Sequence, residues 1–117
     1  MMRYGIVYKQ RDILLIPIPF TDLTSSKRRP VLVLSNDDYN SKTGDIIVAA
    51  VTSNLTSKDY SILITNSDLL KGNLKVDSCI RVDKIYTLAQ NIVIKKFGEV
   101  NDGVMNEVRN KINELIK

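Results

Sequence analysis

The sequence contains no histidine and only one cysteine, Cys79. These two residue types supply most ligands of structural zinc sites, and a site without them would need mostly carboxylates. A lone cysteine also cannot form an intramolecular disulfide. We therefore expect no metal and no other cofactor, and any catalysis must proceed without imidazole or a pair of thiols.

Long apolar runs are also missing from the chain. No segment approaches the roughly 20 apolar residues that cross a bilayer as a helix. Residues 1–5 lack the extended apolar stretch and the small-residue cleavage site of a signal peptide. The sequence therefore predicts a cytoplasmic protein that does not associate with a membrane.

The composition lacks the extremes of a disordered chain, with 26% charged and 44% hydrophobic residues. A length of 117 residues is close to the commonest size of one domain, so we expect a single domain over residues 1–117. Lys and Arg outnumber Asp and Glu by 17 to 13, which gives a net charge of +4. This excess permits a nucleic acid or an acidic protein as partner without requiring either.

A basic cluster, Lys27, Arg28 and Arg29, stops at Pro30 and is followed by the apolar run 31–34. This pattern predicts a buried strand whose first residues emerge from the sheet as a cationic loop. Pro30 favours extended backbone at Arg29, so the direction of that side chain is restricted. Arg29 could then bind a phosphate; the alternative is a solvated turn that carries spare positive charge.

A second apolar run, 46–51, predicts another central strand. It ends at Thr52, Ser53 and Asn54, which place hydroxyl and amide groups at the rim of the sheet. Taken alone, such an ending is typical of ordinary turn chemistry.

Weaker patterns predict further elements. Pro17 and Pro19 would make the strand 13–16 an edge strand or a strand that leaves the sheet, because proline cannot donate to a ladder. The polar segment 21–27 is long enough for a flap over a site. The remaining expectations are a short helical turn that starts within 36–40, strands at 7–10, 60–64 and 92–97, a turn of the chain at 98–102, and one helical turn within 66–72.

The segment 78–85 predicts a strand in which Arg81 and Asp83 share one face, because side chains alternate along a strand. A basic and an acidic side chain at this spacing could act together on a substrate. The alternative is an ion pair at the surface.

The end of the sequence has apolar residues at helical spacing after Asn101 and Asp102, either of which could cap a helix. The stripe predicts one amphipathic helix that packs on the core or in a dimer. Several short strands and one terminal helix favour a small, strongly bent antiparallel sheet or barrel. The residues of the stripe are Val104, Met105, Val108, Ile112, Leu115 and Ile116.

Five segments carry a resemblance to a known family. The chain resembles the MazF/PemK/Kid toxins of bacterial toxin–antitoxin systems over nearly its whole length, with the segments in the order of the family. They are RDIL at 11–14, PIPFTDL at 17–23, KRRPVLV at 27–33, IVAAVTS at 47–53 and IRVDKIYTL at 80–88.

The resemblance implies a mainly β (α+β) fold, an SH3-like barrel of the CcdB/MazF type with a C-terminal amphipathic helix. It also implies a homodimeric toxin that cleaves single-stranded mRNA at specific sequences without a metal. The expected products carry a 2′,3′-cyclic phosphate and a 5′-hydroxyl. The implied partners are single-stranded RNA and an antitoxin of the MazE/PemI type with an acidic tail, and DNA contact through the toxin–antitoxin complex stays open.

The resemblance also implies the catalytic residues Arg29, Thr52, Arg81 and Asp83. In Kid-like members the last two are assigned as acid and base, with Asp83 at the position of the base. An arginine has a pKa above about 12, so we expect Arg81 to stabilise charge rather than to donate a proton. Around these positions we expect RNA contacts from Lys27, Arg28, Ser53 and Asn54.

The chain departs from the family at two points. Arg11 stands where glycine usually precedes the aspartate, and the histidine that some relatives place in the flap is missing. Two other functions fit the same fold: a non-catalytic gyrase inhibitor like CcdB that acts through the ends of the helix, and an inactive barrel that binds nucleic acid or an antitoxin.

Overall fold

A computed structural model describes residues 7–17, 27–55 and 59–117. Within these ranges the chain forms seven strands, two α-helices and two short 3-10 turns, at Asn66–Asp68 and Gln90–Ile92. The flap expected at 21–27 lies outside the described residues except for Lys27. In chain order the strands and helices are β1 (Asp12–Pro17), β2 (Arg28–Val33), α1 (Asp37–Thr43), β3 (Asp45–Thr52), β4 (Ser61–Ile64), β5 (Leu69–Gly72), β6 (Ser78–Ala89), β7 (Lys95–Val100) and α2 (Asp102–Ile116).

The strands form one antiparallel sheet in the order β4-β6-β3-β2-β1-β7-β5. The helix α2 follows the last strand and packs on β4 and β6. The predicted fold, mainly β with a C-terminal helix, is confirmed. In the described part of the chain, no helix is long and apolar enough to span a membrane.

The sheet buries apolar side chains on both faces, which explains why β2 and β3 are almost continuously apolar. The first face carries the larger core cluster, to which α2 contributes. The second face carries a smaller cluster. The first includes Ile13, Leu32, Ala49, Val51, Ile80, Val104, Met105 and Val108, and the second consists of Leu14, Ile16, Val31, Val33, Ile46 and Val48.

The helix α2 begins where the sequence predicted. Oδ1 of Asn101 accepts a hydrogen bond from the backbone N–H of Val104 at 2.9 Å and so caps the first turn. The first half of the apolar stripe is buried in the core. At its far end Leu115 and Ile116 are 40% and 72% exposed, so that end does not pack on this chain's core.

Several predictions about the elements need correction. Residues 7–10 form no strand, because a turn at Gln10 leads into β1. The helical turn expected within 66–72 is a 3-10 turn, Asn66–Asp68, followed by β5, which pairs with β7. The strand expected at 92–97 begins only at Lys95 and continues to Val100, through most of the expected turn.

Two further corrections concern the beginning of β2 and the position of β1. Arg28 and Arg29 already belong to β2, opposite Pro17 and Ile16 of β1, so they do not form a loop. β1 lies between β2 and β7 rather than at an edge. Its pairing with β7 stops at Leu15, so Pro17 is paired on one side only, which its missing N–H permits.

Candidate active site

The pairing register brings residues of four strands into one row on the second face. Val31 of β2 lies opposite Ala50 of β3, Ala50 opposite Arg81 of β6, and Arg81 opposite Ser61 of β4. Side chains directly opposite each other in antiparallel strands share a face, about 5 Å apart. Arg81 is thus one strand from Ala50 and two strands from Val31.

A second row lies toward the end of β3. Thr52 is opposite Cys79 of β6, and Cys79 is opposite Leu63 of β4. Arg29 comes two residues before Val31, and Thr52 comes two residues after Ala50. Because β2 and β3 are antiparallel, both shifts lead toward the same end of the sheet. Arg29, Thr52 and Arg81 therefore share one face and one end of neighbouring strands.

Arg81 and Asp83 make direct contact. Nε of Arg81 donates to Oδ1 of Asp83 at 3.0 Å, and its terminal nitrogen donates to Oδ2 at 2.9 Å. The side chains are 18% and 33% exposed. The predicted same-face arrangement is confirmed, and a substrate could reach both groups.

The contact between Arg81 and Asp83 changes the acidity of both groups. The hydrogen bond from Arg81 lowers the pKa of the Asp83 carboxyl below its ordinary 3.8, although desolvation opposes this shift. The same hydrogen bond raises the pKa of the Arg81 guanidinium. Asp83 in this pair is consequently a weaker base than an isolated aspartate.

A local insertion in β6 shapes this region. The pairing of β3 with β6 shifts between Ala49 and Ala50, which lie opposite Ile85 and Arg81. Residues 82–84 therefore form a bulge that has no partner on β3, and Asp83 sits in the middle of it. Bulges bend a strand and redirect its side chains.

Thr52 ends β3 with its hydroxyl already oriented. Its Oγ1 accepts a hydrogen bond from the backbone N–H of Asn54 at 3.1 Å. The hydroxyl proton can then point to another acceptor, such as a phosphate oxygen. Ser53 and Asn54 follow the strand and are exposed.

The basic cluster lies at the beginning of β2. Lys27, Arg28 and Arg29 are exposed, and Arg29 has the extended backbone predicted from Pro30. The structure thus joins Arg81 to Asp83 by contact, whereas only the register brings the other candidate residues near them. In the three described ranges, no group of three or more His, Cys, Asp or Glu residues could hold a metal ion.

Sequence reasoning missed Ser61, the neighbour of Arg81 on β4. Its Oγ is buried and has no hydrogen-bond partner in the described structure. No motif singles out this serine, and its relation to Arg81 depends on the pairing of β4 with β6. Only a register prediction could have found it.

Comparison with known proteins decides the family. The family model described as PemK-like, MazF-like toxin of type II toxin–antitoxin system matches residues 9–116. The chain belongs to this toxin family. The resemblance read from the five segments is thereby confirmed.

Curated members of the MazF/PemK family are similar in sequence. Endoribonuclease MazF6 of Mycobacterium tuberculosis is 35% identical over 86 residues, which cover 71% of this chain and 73% of the relative. Endoribonuclease MazF of Staphylococcus saprophyticus is 33% identical over 86 residues, which cover 72% of this chain and 69% of the relative.

Solved structures of MazF/PemK toxins share the fold. MazF from Deinococcus radiodurans has a TM-score of 0.73 and 24% identity, covering 96% of this chain and 98% of that one. A mycobacterial endoribonuclease in complex with its cognate antitoxin has a TM-score of 0.72 and 19% identity, covering 94% and 93%. At these identities, the likeness shows the fold alone.

Proposed function

We propose that this protein is the toxin of a type II toxin–antitoxin system and cleaves single-stranded mRNA as an endoribonuclease. The observation that carries the proposal is the common face and common end of Arg29, Thr52 and the Arg81–Asp83 pair. The MazF relatives, which are named as endoribonucleases, support the reaction class. The proposed unit is one domain over residues 1–117.

In the proposed reaction the arginines stabilise charge. Arg29 and Arg81 donate charge-assisted hydrogen bonds to the non-bridging oxygens of the scissile phosphate. These bonds strengthen as negative charge accumulates on the phosphorane, so they lower the barrier more than they tighten binding. The hydroxyl of Thr52 donates a further hydrogen bond and orients the same phosphate.

Asp83 acts as the general base. It takes the proton of the 2′-hydroxyl, the 2′-oxygen bonds to phosphorus, and the bond from phosphorus to the 5′-oxygen breaks. The 5′-oxygen takes a proton from water, and Asp83 later returns its proton to the solvent. The products carry a 2′,3′-cyclic phosphate and a 5′-hydroxyl.

Substrate binding strengthens this base. The resting Asp83 is held by Arg81, which lowers the pKa of its carboxyl. A phosphate that binds Arg81 competes for those hydrogen bonds and brings negative charge next to Asp83. Both changes raise the pKa of Asp83, so the base becomes effective when the substrate is present.

The other proposed contacts surround this centre. Lys27 and Arg28 precede Arg29 along the chain, and Ser53 and Asn54 follow Thr52, so all four residues lie at the same end of β2 and β3 and bind the RNA backbone there. The protein acts as a homodimer in the cytoplasm. An antitoxin whose acidic tail covers the basic residues inhibits it, and solved complexes of a mycobacterial relative and of Deinococcus MazE–MazF provide the analogy.

The test incubates the purified protein with a defined single-stranded RNA in EDTA. We expect cleavage to 5′-hydroxyl and 2′,3′-cyclic phosphate ends, and no cleavage where the scissile nucleotide has a 2′-deoxyribose. Arg29→Ala should lower kcat/KM by at least about 100-fold, because it removes a donor to the phosphorane.

Arg109→Ala is the matched control for the loss of an arginine. Arg109 lies on α2 and contacts Asn106 and Gln10, so this variant should keep full activity. Absence of cleavage of any RNA by the unmodified protein would contradict the proposal. Inhibition of supercoiling in a parallel gyrase assay would then identify a gyrase inhibitor.

A further inference from the structure

Tyr60, directly before β4, has an unusual backbone. Its φ is 61°, in the left-handed region, and Arg11 is the only other non-glycine residue with positive φ in the described part of the chain. An aromatic side chain gains nothing from this conformation, which glycine adopts most easily. Residues held this way cluster at functional sites.

The Tyr60 carbonyl is aimed at the bulge of β6. It accepts a hydrogen bond from the backbone N–H of Val82 at 3.0 Å. Val82 lies between Arg81 and Asp83, within the segment 82–84 that has no partner on β3. The regular pairing of β4 with β6 ends one position earlier, at Ser61 and Arg81. The hydrogen bond to Tyr60 therefore fixes the backbone of the bulge at its first residue, Val82.

Val82 lies on one face of β6 and its two neighbours lie on the other, so the hydrogen bond at Val82 affects the direction of Arg81 and Asp83. The side chain of Val82 is fully buried in the first core cluster, while Arg81 and Asp83 project from the second face. A rotation of the peptide at Val82 would turn both neighbouring side chains. The bidentate geometry of the pair requires that the two side chains keep their relative direction.

We propose that Tyr60 is a positioning residue of the candidate active site, whose left-handed backbone fixes the bulge that aligns Arg81 with Asp83. The role of this alignment in RNA cleavage rests on the proposed function. The Tyr60 ring is half-buried and packs on the first core cluster, which explains a large side chain here. That packing places no demand on φ, whereas the positive φ turns the chain into β4 at the residue whose carbonyl bonds Val82.

The test compares two substitutions that both remove the ring. Asparagine tolerates the left-handed region, and valine, which is branched at Cβ, does not. We expect Tyr60→Asn to keep the Val82 amide protected from hydrogen exchange and to keep kcat. We expect Tyr60→Val to exchange that amide about 10-fold faster and to lose about 10- to 100-fold in kcat with little change in KM.

A titration of the Asp83 carboxyl by 13C NMR gives a readout without RNA. In Tyr60→Val the pKa of Asp83 should rise toward its ordinary value, because the hydrogen bonds from Arg81 loosen. In Tyr60→Asn it should stay low. If the ring acted only through packing, its loss would change the pKa of Asp83 equally in both variants. That result would overturn the inference.

A second pair of variants tests the inference if Tyr60→Val folds poorly. Tyr60→Gly accepts a positive φ and Tyr60→Ala does so less readily, so the glycine variant should have the higher kcat and the lower Asp83 pKa. Equal values would again overturn the inference. If the unmodified protein cleaves no RNA, the proposed function fails, and the titration and exchange data still decide whether Tyr60 aligns the pair.

Discussion

Arg81 holds the carboxylate of Asp83 by two hydrogen bonds, and this contact and burial shift the pKa of Asp83 in opposite directions. The spacing of Arg81 and Asp83 predicts a shared face, and their bidentate contact confirms it. The direction of the pKa shift of Asp83 was not predictable, because burial raises this pKa and the guanidinium lowers it. Which effect is larger depends on distances that spacing does not give.

The Asp83 pKa leads to a prediction about pH. As the general base Asp83 must be ionised, and Arg81 lowers its pKa below 3.8 in the free enzyme. We expect kcat/KM to be flat from about pH 5 to 8 and to fall only below about pH 4 through this group. Arg81→Met should raise the pKa of the carboxyl, which 13C NMR measures. An acid limb near pH 6 in kcat/KM would contradict this assignment.

Arg11, where the resemblance leads us to expect glycine, is the other non-glycine residue with a positive φ, 87°, in the described ranges. Its side chain pairs with Asp102 at 2.9 Å, but these side chains are 37% and 78% exposed. Such an exposed pair contributes at most about 1 kcal/mol. The left-handed backbone costs roughly 1–2 kcal/mol, which glycine would not incur.

We therefore predict that Arg11→Gly raises the free energy of unfolding by up to about 1 kcal/mol. Arg11→Ala loses the ion pair and keeps most of the strain, so it should be less stable than the original protein. Urea unfolding at pH 7 measures both variants. A glycine variant no more stable than the alanine variant would show that the backbone at this turn is unstrained.

At the scale of elements, periodicity predicts those that bury an apolar face. The central strands β2 and β3 and the helix α2 lie where apolar runs or helical spacing place them. The sequence LLKG of β5 has no such pattern, and it is a strand because β7 pairs with it. The late start of β7 has no local signal either. Tertiary pairing decides such elements, and propensity does not.

The pairing of β1 with β7 includes a buried charge, Asp12, whose side chain is 4% exposed. Its Oδ1 lies 3.0 Å from Nζ of Lys96, and its Oδ2 accepts the N–H of Lys9 at 2.8 Å. Lys96 also lies 2.7 Å from Oε2 of Glu99. Partial burial lowers the pKa of Lys96, but the hydrogen bonds to Glu99 and Asp12 outweigh it and raise this pKa overall.

We predict that Lys96→Met lowers the free energy of unfolding by about 1–3 kcal/mol, because it leaves the buried Asp12 carboxylate without its charged partner. Lys71→Met is the matched control. Lys71 is 74% exposed and its Nζ lies 3.6 Å from Glu99, so its loss should cost less than about 0.5 kcal/mol. Equal losses in urea unfolding would contradict a special role for Lys96.

A further consequence at this site concerns acid stability. The hydrogen bond from Lys96 lowers the pKa of Glu99 below its ordinary 4.5, so the bond stabilises the fold above that pH. The stabilisation is lost as the pH falls through the lowered pKa. As the pH falls from 5 through the lowered pKa of Glu99, the Lys96→Met variant should therefore lose less stability than the original protein.

At the scale of the whole molecule, composition predicts a globular domain but not its topology. The order β4-β6-β3-β2-β1-β7-β5 follows from pairings between distant segments, and no local pattern specifies it. The strand and helix patterns indicate a small, strongly bent antiparallel sheet or barrel with a terminal helix, and the resemblance to MazF/PemK toxins narrows this to an SH3-like barrel of the CcdB/MazF type. The convergence of the candidate residues could be inferred only through that resemblance.

The net charge of +4 leads to a prediction about RNA binding. If about three cationic side chains contact phosphates, the affinity for single-stranded RNA should fall about 10- to 20-fold between 50 and 200 mM salt. An RNA with a 2′-deoxyribose at the scissile position measures binding without cleavage.

In a plot of the logarithm of the binding constant against the logarithm of the salt concentration, Arg28→Ala should make the slope less steep by about 0.7. This is the contribution of one phosphate contact on a single strand. Lys42→Ala is the control, because Lys42 lies on α1 at the other end of β3 and pairs with Asp38. An unchanged slope in Arg28→Ala would remove this residue from the binding surface.

The position of β1 between β2 and β7 has a consequence for synthesis on the ribosome. The first strand of the described chain is completed by the last one, through the pairing of Asp12 with Glu99. A nascent chain that ends before Lys95 leaves β1 with one open side and Asp12 without its cation. The part of the sheet next to β2, the strand that carries Arg29, is therefore complete only after translation has passed Val100. An unfinished chain lacks the assembled site.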